Sequence, residues 1–504
     1  MTDVSQLPPD TPVLVGAGQV VLREATDTSP MELAARAALK ALAHAGGNNV
    51  VNAIDTISIT RLFSDSMGMP ACAFGRSENP PRSVAAAIGA NPEHAIYGQV
   101  GGNEPQSRIS EFAADIARGS RSVVLLAGGE ALLNERQARR EGRTLNWQDA
   151  PAGSLEDRGW GDMFVTGQEV ANGLLAPLYY YGLLEQALLQ STGVSASEHK
   201  HQMATMFSRF TKIAASNPLA QFPDTMSAQD IASAAPLNHL YSKRMIARDS
   251  VNQGAAVLMC SIAKAQELGI AREHWVFMHG AAQSLDVNVS ERNQPGRSRA
   301  AEVVLDHSLA MARKTIDEID LIDLYSCFPC AVTMAANHLE LPTDGSRPLT
   351  LTGGLPYFGG PGNNYVMHSV AEAVCQLREA PGQYALVTAV GGLMSKYAAG
   401  VYSTVPAQTD WASVSVQLAQ QTDGARTIAE SPSAGTIETW LVNYQDGKPQ
   451  QAMIIGNTAT GERFVAHSAG GDTNTPAQLL SQDAKGAAVT ITPGQHGALY
   501  FTLD

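Results

Sequence analysis

The sequence has few cysteines, no cluster of positive charge and no long hydrophobic run. Its five cysteines, Cys72, Cys260, Cys327, Cys330 and Cys375, are scattered over 504 residues. They are too few and too far apart for a disulfide framework, and they favour a reducing compartment. Lysine and arginine total 34 against 48 aspartates and glutamates, which gives a formal charge of −14. We therefore expect no nucleic-acid partner and no attraction to anionic lipid.

Membrane and export signals are missing as well. No apolar run approaches the about 20 residues that a membrane-spanning helix needs. The polar, proline-rich start MTDVSQLPPDTPV has no basic region followed by an apolar one, so no signal peptide is expected. These features predict a cytoplasmic protein without a membrane partner.

What the sequence does contain is an alternation of strand-like and helix-like segments. Strands are predicted at 11–19, 54–60, 94–100 and 123–128, with helices at 29–46 and 105–118 between them. Ser29 and Pro30 are typical of a helix start. The alternation predicts a mostly parallel sheet flanked by helices.

The same order of segments returns in the second half of the chain. SRSVVLLAGGE at 120–130 corresponds to GQYALVTAVGG at 382–392, and NAIDTISITR at 52–61 corresponds to DEIDLIDLYS at 317–326. Such an internal repeat predicts two copies of one unit packed together. Residues from about 132 to 246 interrupt the pattern, and strand-like segments separated by Asp446-Gly447 and Pro493-Gly494 follow residue 410.

These features together resemble the thiolase superfamily, whose members duplicate a βαβαβ unit, insert a loop domain and bind acyl-CoA. HKHQMATMFSRFTKIAASNPLAQF at 199–222 is similar to the loop-domain helix of sterol-carrier-type thiolases, and RMIARDSVNQGAAVLMC at 244–260 to the strand that returns to the core. The extra β segments resemble the C-terminal domain of the type-1 thiolase-like proteins.

The resemblance implies an α/β protein with the duplicated, five-layer αβαβα thiolase fold, an inserted loop domain and a small antiparallel β domain at the C-terminus. The implied boundaries are 1–131 with 247–270 for the first half, 132–246 for the insertion, 271–405 for the second half and 411–504 for the β domain.

The resemblance aligns four catalytic positions of thiolases with this sequence, and all four are altered. Gly101 stands where the nucleophilic cysteine should be, at the start of a helix that would favour a thiolate. Gly360 replaces the histidine of the G-H-P motif, and Ala389 the second cysteine. The N-E-x-F motif reads Tyr325-Ser326-Cys327-Phe328, so only its phenylalanine remains.

Other groups are candidates for a rebuilt catalytic site. Tyr325 and Ser326 offer hydroxyl donors for a thioester oxygen. Cys327 and Cys330 are candidates for a replacement nucleophile, against the alternatives of buried core thiols, a redox pair or half of a zinc site. His368 is a candidate base or a helix-packing residue.

Candidate binding residues lie in three places. Asn103 and Glu104, together with His94, flank the nucleophile position, although helix-start chemistry would also explain the first two. Gly353 and Gly354 belong to a glycine-rich turn that would cradle coenzyme A or serve close packing. Asn363 and Asn364 would cap a helix or contact the thioester, and His201 and Arg209 would meet CoA phosphates or form a solvated helix face.

We therefore predict a thiolase-like protein that handles acyl-CoA, an acyltransferase type of enzyme in lipid metabolism with an atypical site. The alternative is a non-catalytic CoA-binding or scaffold protein that recruits a partner through its C-terminal domain. No metal and no tightly bound cofactor are expected, only CoA as co-substrate or ligand. A homodimer and a hetero-complex both stay open.

Overall fold

The structure is a computed structural model that describes residues 6–66, 69 and 71–504 of the chain. Residues 1–5 lie outside the described residues. They begin both the polar N-terminal segment, in which no signal peptide is expected, and the predicted first half. Most of the described chain forms helices and strands around two large hydrophobic cores, and a third, smaller core fills the C-terminal domain.

The first half alternates strands and helices as the sequence predicts. Helix α1 shows why: Ser29 accepts a hydrogen bond from the Glu32 amide, and the Glu32 carboxylate bonds back to the Ser29 amide. The predicted serine cap is confirmed. The elements of this half are β1 (Pro12–Val21), α1 (Pro30–Ala45), α2 (Val50–Ala53), β2 (Thr56–Ile59), α3 (Pro80–Ile88), β3 (His94–Tyr97), α4 (Glu104–Ala117) and β4 (Val123–Ala131).

An insertion with five helices and one short strand separates β4 from the next core strand. Its longest helix contributes the buried face of Met203, Phe207 and Phe210 to the main core. The elements are α5 (Leu132–Glu141), β5 (Glu156–Asp157), α6 (Gly167–Ala171), α7 (Pro177–Thr192), α8 (Ala196–Ser216) and α9 (Ala228–Ala232).

The second half repeats the α/β order of the first. The chain returns to the core through β6, and Asp323 at the end of β8 is fully buried. The elements are β6 (Asn252–Ser261), α10 (Ile262–Glu267), β7 (Val276–Leu285), α11 (Arg299–Ala312), β8 (Leu321–Asp323), α12 (Pro329–His338), α13 (Tyr365–Glu379), β9 (Tyr384–Gly391) and β10 (Lys396–Ser403).

Ten strands form one continuous sheet in the order β5-β3-β2-β4-β6-β1-β7-β10-β9-β8. The two halves meet where β1 pairs with β7, through Val13 with Phe277 and Leu14 with Val276. From this junction outward both halves run through the same succession, β1-β6-β4-β2 in one and β7-β10-β9-β8 in the other. The internal repeat is therefore visible in the topology.

The sheet is mixed, so the expectation of a mostly parallel sheet is wrong for its inner strands. β6 runs antiparallel to both β1 and β4, and β10 antiparallel to both β7 and β9. β9 and β10 are joined by only Gly392–Ser395, and so short a connection permits only an antiparallel pair. β4 and β6 are likewise antiparallel neighbours, and the insertion lies in the connection between them.

Helices lie in three layers around the two half-sheets. α1 packs on β1, β4 and β6, and α11 packs on β7 and β10, each on an outer face. α4 and α13 contact strands of both halves and each other. The duplicated five-layer αβαβα arrangement with an insertion is thereby confirmed.

The C-terminal segment forms a closed barrel in the order β11-β12-β13-β15-β14. The predicted turn at Asp446-Gly447 is present, with both residues at positive φ, and it joins the first two strands. A helix lies between the third and fourth strands, and this arrangement is that of an OB-fold barrel. The elements are β11 (Ala434–Gln445), β12 (Lys448–Asn457), β13 (Arg463–His467), α14 (Asn474–Ser481), β14 (Ala488–Pro493) and β15 (Leu499–Leu503).

One outer face of the barrel is buried against the rest of the molecule. Leu441, Met453, Ile455 and Val465 belong to the main core, whereas the alternate residues of the same strands fill the barrel interior. His239 of the insertion also stacks on Trp440 at a centroid distance of 4.3 Å. The strands whose outer face binds ligands in OB-folds are thus used for internal packing.

The outer edge of β3 is covered by the insertion. β5 pairs with it in parallel, through Ile96 with Glu156 and Tyr97 with Asp157, and the Arg158 amide donates to the Tyr97 carbonyl at 3.0 Å. Arg61 forms an ion pair with Asp157 across the same edge. Within the described ranges, no helix is both long and apolar enough to cross a membrane.

Candidate active site

The turn between β3 and α4 has no room for a side chain at residue 101. Gly101 has a φ of +148°, a conformation that L-residues rarely adopt, and a Cβ built there overlaps Oδ1 of Asn103. A Cβ on Gly391, across the turn, overlaps the same oxygen. The Asn103 carboxamide therefore fills the space next to the position that aligns with the thiolase nucleophile.

Asn103 and Glu104 begin α4 in different ways. The Asn103 side chain makes no capping bond; its Nδ2 donates to Ser107 Oγ at 3.3 Å and its buried Oδ1 has no partner among the described residues. Glu104 is 4% exposed, accepts from the Gln99 amide at 3.2 Å and pairs with Arg108 at 3.3 Å. Helix-start chemistry accounts for Glu104 and leaves the Asn103 oxygen unexplained.

Tyr325 lies against the same turn. Its hydroxyl lies beside Gly102, where a Cβ would overlap it, and has no hydrogen bond within the described chain. Its ring packs edge-to-face on Tyr365 at 5.7 Å, and its amide donates to Thr388 Oγ1 at 2.9 Å. Burial raises the pKa of Tyr325 well above its usual range, so the group is a neutral hydroxyl donor.

Lys396, which the sequence analysis did not single out, completes this cluster. It is the first residue of β10, is only 6% exposed, and donates from Nζ to the Val100 carbonyl at 3.2 Å. Its aliphatic chain lies beside Gly101 and Gly392. Burial lowers the pKa of this ammonium group, and Glu104 and Asp162 oppose the shift. The Lys396 amine and the Tyr325 hydroxyl both lie at the β3–α4 turn, and groups of this kind are hydrogen-bond donors suited to a carbonyl oxygen.

Ser326 and the two glycines of the predicted cradle pack against each other. Ser326 is fully buried and accepts from the Leu355 amide at 3.1 Å. A Cβ at Gly354 would lie within 2.6 Å of Ser326 Oγ, and one at Gly353 would meet Ala214 of α8 at 2.6 Å. The Gly353 and Gly354 amides already donate to Thr350 and Thr352, each at 3.1 Å. Close packing of the turn explains these residues.

The two cysteines of the C-F-P-C segment are enclosed. Cys327 is 8% exposed and Cys330 fully buried; burial raises the pKa of Cys327 to about 12 and that of Cys330 well above its usual value. The Tyr241 hydroxyl lies 3.6 Å from the Cys330 sulfur and donates to Glu185, which bonds His199 at 2.7 Å. Over the described ranges, no three His, Cys, Asp or Glu side chains form a group that could hold a metal ion.

His368 and the two asparagines before it lie inside the protein. His368 is fully buried, its Nδ1 lies 2.8 Å from Gln19 Oε1, and its Nε2 has no partner among the described residues. Asn363 donates to the Arg61 carbonyl at 2.9 Å. Asn364 is the N-cap residue of α13, so the predicted position is confirmed, but its side chain makes no capping bond. The full burial of His368 and its contact with Gln19 fit the helix-packing interpretation.

The remaining predicted positions are spread around the molecule. Gly360 has room for a methyl group, since its nearest neighbours would be 3.5 Å from a Cβ, and Ala389 pairs with Ala398 inside the sheet. His201 and Arg209 lie exposed on α8. His94 begins β3 and Gly101 follows its other end, so the expectation that His94 flanks the nucleophile position is wrong.

Two arginines near the glycine-rich turn have no ion-pair partner within the described chain. The Arg248 guanidinium lies 3.0 Å from the Phe222 ring centroid, and its Nη1 is buried without a hydrogen bond. The Arg248 carbonyl accepts from the Gly360 amide at 2.8 Å. Burial, followed by the charge of Arg244, lowers the pKa of Arg248 to about 10. The two guanidinium groups therefore form a cationic position at the border of insertion and core.

Comparison with known proteins places this geometry in a family. Residues 407–496 match the family described as the thiolase-like protein type 1 additional C-terminal domain. The chain is 35% identical, over 99% of its length and 100% of the other chain, to a monomeric SCP2-thiolase like protein type 1 from Mycobacterium smegmatis, with a TM-score of 0.84. No curated protein matches the chain.

Two other solved structures share the fold at lower identity. The Ltp2-ChsH2(DUF35) aldolase is 18% identical, with 79% of this chain and 98% of that chain covered and a TM-score of 0.58. An acetyl-CoA acetyltransferase from Syntrophomonas wolfei is 16% identical, with 78% and 99% covered and a TM-score of 0.56. The resemblance to the thiolase superfamily is confirmed, and at 35% identity over nearly its full length the chain belongs to the SCP2-thiolase-like proteins of type 1.

Proposed function

We propose that this protein binds acyl-CoA esters and acts on them without forming an acyl-enzyme. The observation that carries the proposal is the cluster at the β3–α4 turn: Asn103 fills the place beside Gly101, and Lys396 and Tyr325 lie on either side of the same turn. A site that had merely lost its nucleophile would not need a buried ammonium group there, because burying an amine costs free energy.

Lys396 and Tyr325 supply hydrogen-bond donors for a thioester or keto oxygen. Donors aimed at the oxygen on which charge develops stabilise an oxyanion in a buried site. The acyl group would pass directly from CoA sulfur to an acceptor thiol or to water: the new bond to the acyl carbon forms, the carbon–sulfur bond breaks, and CoA leaves with the proton of the acceptor. No protein nucleophile takes part.

The unpaired arginines support the binding part of the proposal. Arg244 and Arg248 lie next to the glycine-rich turn without a carboxylate partner in the described chain, and Nη1 of Arg248 is unbonded. A CoA phosphate is the kind of anion that such guanidinium groups bind. Arg244 and Arg248 are not the residues that the sequence predicts for CoA phosphates. Those residues, His201 and Arg209, lie exposed on α8.

Binding is tested by calorimetry of the purified full chain with CoA and acetyl-CoA. We expect Arg248→Gln to weaken binding by about tenfold or more, because a charged hydrogen bond contributes about 1.5–3 kcal/mol. Arg209→Gln is the matched control, and we expect its effect to stay within about twofold. Equal losses in both variants, or no binding by the unmodified chain, would contradict the assignment.

Turnover is tested by mass spectrometry with acetyl-CoA, acetoacetyl-CoA and 3-hydroxybutyryl-CoA, each in water alone and with pantetheine added as an acceptor thiol of different mass. The hydroxyacyl substrate is included because a structural relative is an aldolase. We expect Lys396→Met and Tyr325→Phe each to lower the rate by about 10²-fold, the usual loss on removing an oxyanion donor. Lys200→Met, at a half-buried lysine on α8, is the control and should keep the rate.

A second candidate is a non-catalytic CoA-binding or scaffold protein. The observation in its favour is that Ser326, Cys330 and His368 are enclosed, with no exposed surface. Binding of CoA without turnover of any of the three substrates would favour this alternative over the enzyme. A partner would then have to use a part of the barrel other than the face that packs on the main core.

A further inference from the structure

A cavity of about 210 Å³ lies in the first half of the molecule. The start of α1, helix α3 and the end of β4 enclose it together with the loops before and after them. Met31, Leu62, Leu132 and Trp147 supply apolar surface, and Glu130 is a buried ionisable residue in its wall. None of the residues proposed to act on acyl-CoA lines this space.

One oxygen of Glu130 has no hydrogen-bonding partner among the residues that the structure describes. Its side chain is 3% exposed, and Oε1 accepts from the Phe63 amide at 2.7 Å and lies against Gly362. Oε2 has no hydrogen bond within the described ranges. Burial raises the pKa of Glu130 to about 8, so the carboxyl group is protonated at neutral pH. Because Oε1 already accepts from the Phe63 amide, Oε2 is the oxygen that is available to carry the proton.

The charged groups around the cavity disfavour an anionic ligand. Three carboxylates strengthen the shift at Glu130: Asp65 in the turn after β2, Glu135 on α5 and Asp249 before β6. Arg76 is paired with Asp65, and Arg139 with Glu135 at 2.7 Å. Burial raises the pKa of the Cys72 thiol to about 11, which keeps it neutral. Glu32 and Asp149, also in the wall, add further negative charge.

We propose that this cavity binds a small, neutral and mostly apolar molecule whose carbonyl or hydroxyl oxygen accepts a hydrogen bond from Glu130. The apolar wall would contact the hydrocarbon part, and the hydrogen bond from Glu130 would fix its orientation, the usual division of roles in a ligand pocket. A cavity of about 150 Å³ accommodates a benzene ring. A six-membered ring with one polar substituent therefore fits the space.

Three probes with the same ring test the ligand class: cyclohexanone, cyclohexylamine and cyclohexanecarboxylate, each with the full chain at pH 6.5. Binding is measured by ligand-observed NMR titration. We expect cyclohexanone to bind at least tenfold more tightly than cyclohexanecarboxylate and more tightly than cyclohexylamine. A stronger affinity for the amine would overturn the proposal, since it would mean that the carboxylates around the cavity favour a cation over a neutral ligand.

A pair of substitutions on α3 tests the location. Ala87 lines the cavity and is otherwise exposed, so Ala87→Phe should fill the space without disturbing the fold. Ala86 is also exposed and does not line the cavity, so Ala86→Phe is the matched control. We expect at least a tenfold loss of cyclohexanone affinity in the first variant and less than twofold in the second. Equal affinities in both would place the binding elsewhere.

Titration with pH tests the role of Glu130. Ionisation above about pH 8 removes the donated proton, so cyclohexanone affinity should fall by about tenfold between pH 6.5 and pH 9. Glu130→Gln keeps an N–H donor and cannot ionise, so its affinity should not depend on pH in this range. A pH-independent affinity in the unmodified chain would contradict the hydrogen bond from Glu130. None of these measurements depends on whether the protein binds acyl-CoA.

Discussion

At the scale of single residues, Gly101 is the most constrained position of the candidate site. Its φ of +148° and the Asn103 oxygen beside it both exclude a side chain. At the position that aligns with a catalytic cysteine, both the backbone conformation and the neighbouring Asn103 oxygen therefore require glycine. Restoring the thiol requires more than one substitution.

We predict that Gly101→Cys will not restore thiolase chemistry and will destabilise the protein by about 1–3 kcal/mol, the range for a residue held in a disfavoured conformation. The measurements are a denaturant titration and intact-mass analysis after incubation with acetyl-CoA. Gly360→Ala is the control, because a methyl group there meets its neighbours only at 3.5 Å. An acetyl adduct on residue 101 would contradict the prediction.

Because His368 is buried, we expect it to make the stability of the protein depend on pH. Burial lowers its pKa from 6.5 to about 3, so the folded protein holds it neutral while the unfolded chain protonates it below pH 6.5. The contribution of neutral His368 to the free energy of unfolding is therefore present above pH 6.5 and is lost as the pH falls towards 3.

We expect the unmodified chain to lose about 2 kcal/mol more unfolding free energy than His368→Gln between pH 7 and pH 5. Urea titrations of both proteins at the two pH values measure this difference. The comparison cancels the contributions of His239, His279 and Glu130, whose pKa values are also shifted by burial. Parallel changes in both proteins would show that His368 is not held neutral by the fold.

The residues of the candidate site were only partly predictable from sequence. Gly101 and Tyr325 follow from motif alignment, and their closeness follows from the fold. Lys396 has no motif, and its position depends on the register between β9 and β10, where it pairs with Gly391. The Asn103 carboxamide blocks the site through a side-chain orientation that no spacing rule specifies.

At the scale of elements, the pairing of β3 determines what lies at this side of the sheet. Here β5 and the residues after it cover the outer edge of β3. A covered edge has no row of free backbone groups for another chain. The related protein from Mycobacterium smegmatis is described as monomeric.

We predict a monomer by light scattering at micromolar concentration. Arg158→Pro removes the amide that donates to the Tyr97 carbonyl at 3.0 Å, so it should uncover part of the edge and produce dimers or larger species. Arg158→Ala is the control, since it keeps the amide while losing the ion pair to Glu111. A dimer in the unmodified protein, or identical behaviour of both variants, would refute this account.

The order of strands and helices was predictable because hydrophobic runs and turn residues are local signals. The direction of β6 and β10 was not, because it depends on which segments are joined by short connections. β10 in particular, with the sequence KYAAGVYS, was not identified as a strand at all. Its pairing with both β7 and β9 buries every residue of it.

At the scale of the whole molecule, the barrel and the α/β body share a core. Leu441, Met453, Ile455 and Val465 face the body from the barrel's outer surface. Arg463, 1% exposed, donates to the carbonyls of Arg292 and Asn293 at 3.0 and 2.9 Å. Contacts of this kind couple the unfolding of two domains.

We predict that Leu441→Ala will lower the unfolding free energy by about 2–5 kcal/mol, as expected for a buried leucine, while unfolding remains a single transition. Circular dichroism and tryptophan fluorescence, measured along one denaturant titration, test both points. Gln450→Ala, at an exposed barrel position, should change little. A separate, earlier transition of the barrel would show that the two parts fold independently.

The division of the chain into a repeated α/β unit and a terminal β domain was predictable, because repeats and alternation are visible in the sequence. The closure of the barrel and the burial of its outer face were not, since the same alternating strands would also suit a free domain with a solvated face. Only the apolar character of both faces in residues 440–442 and 452–455 indicates burial on two sides.

The covered edge of β3 also determines how this protein responds to dilution. A monomer gains nothing from mass action, so the folded fraction of a monomeric chain is set by a first-order equilibrium. Its melting temperature should be the same at nanomolar and micromolar concentration, whereas an obligate dimer of the same fold would melt earlier as it is diluted.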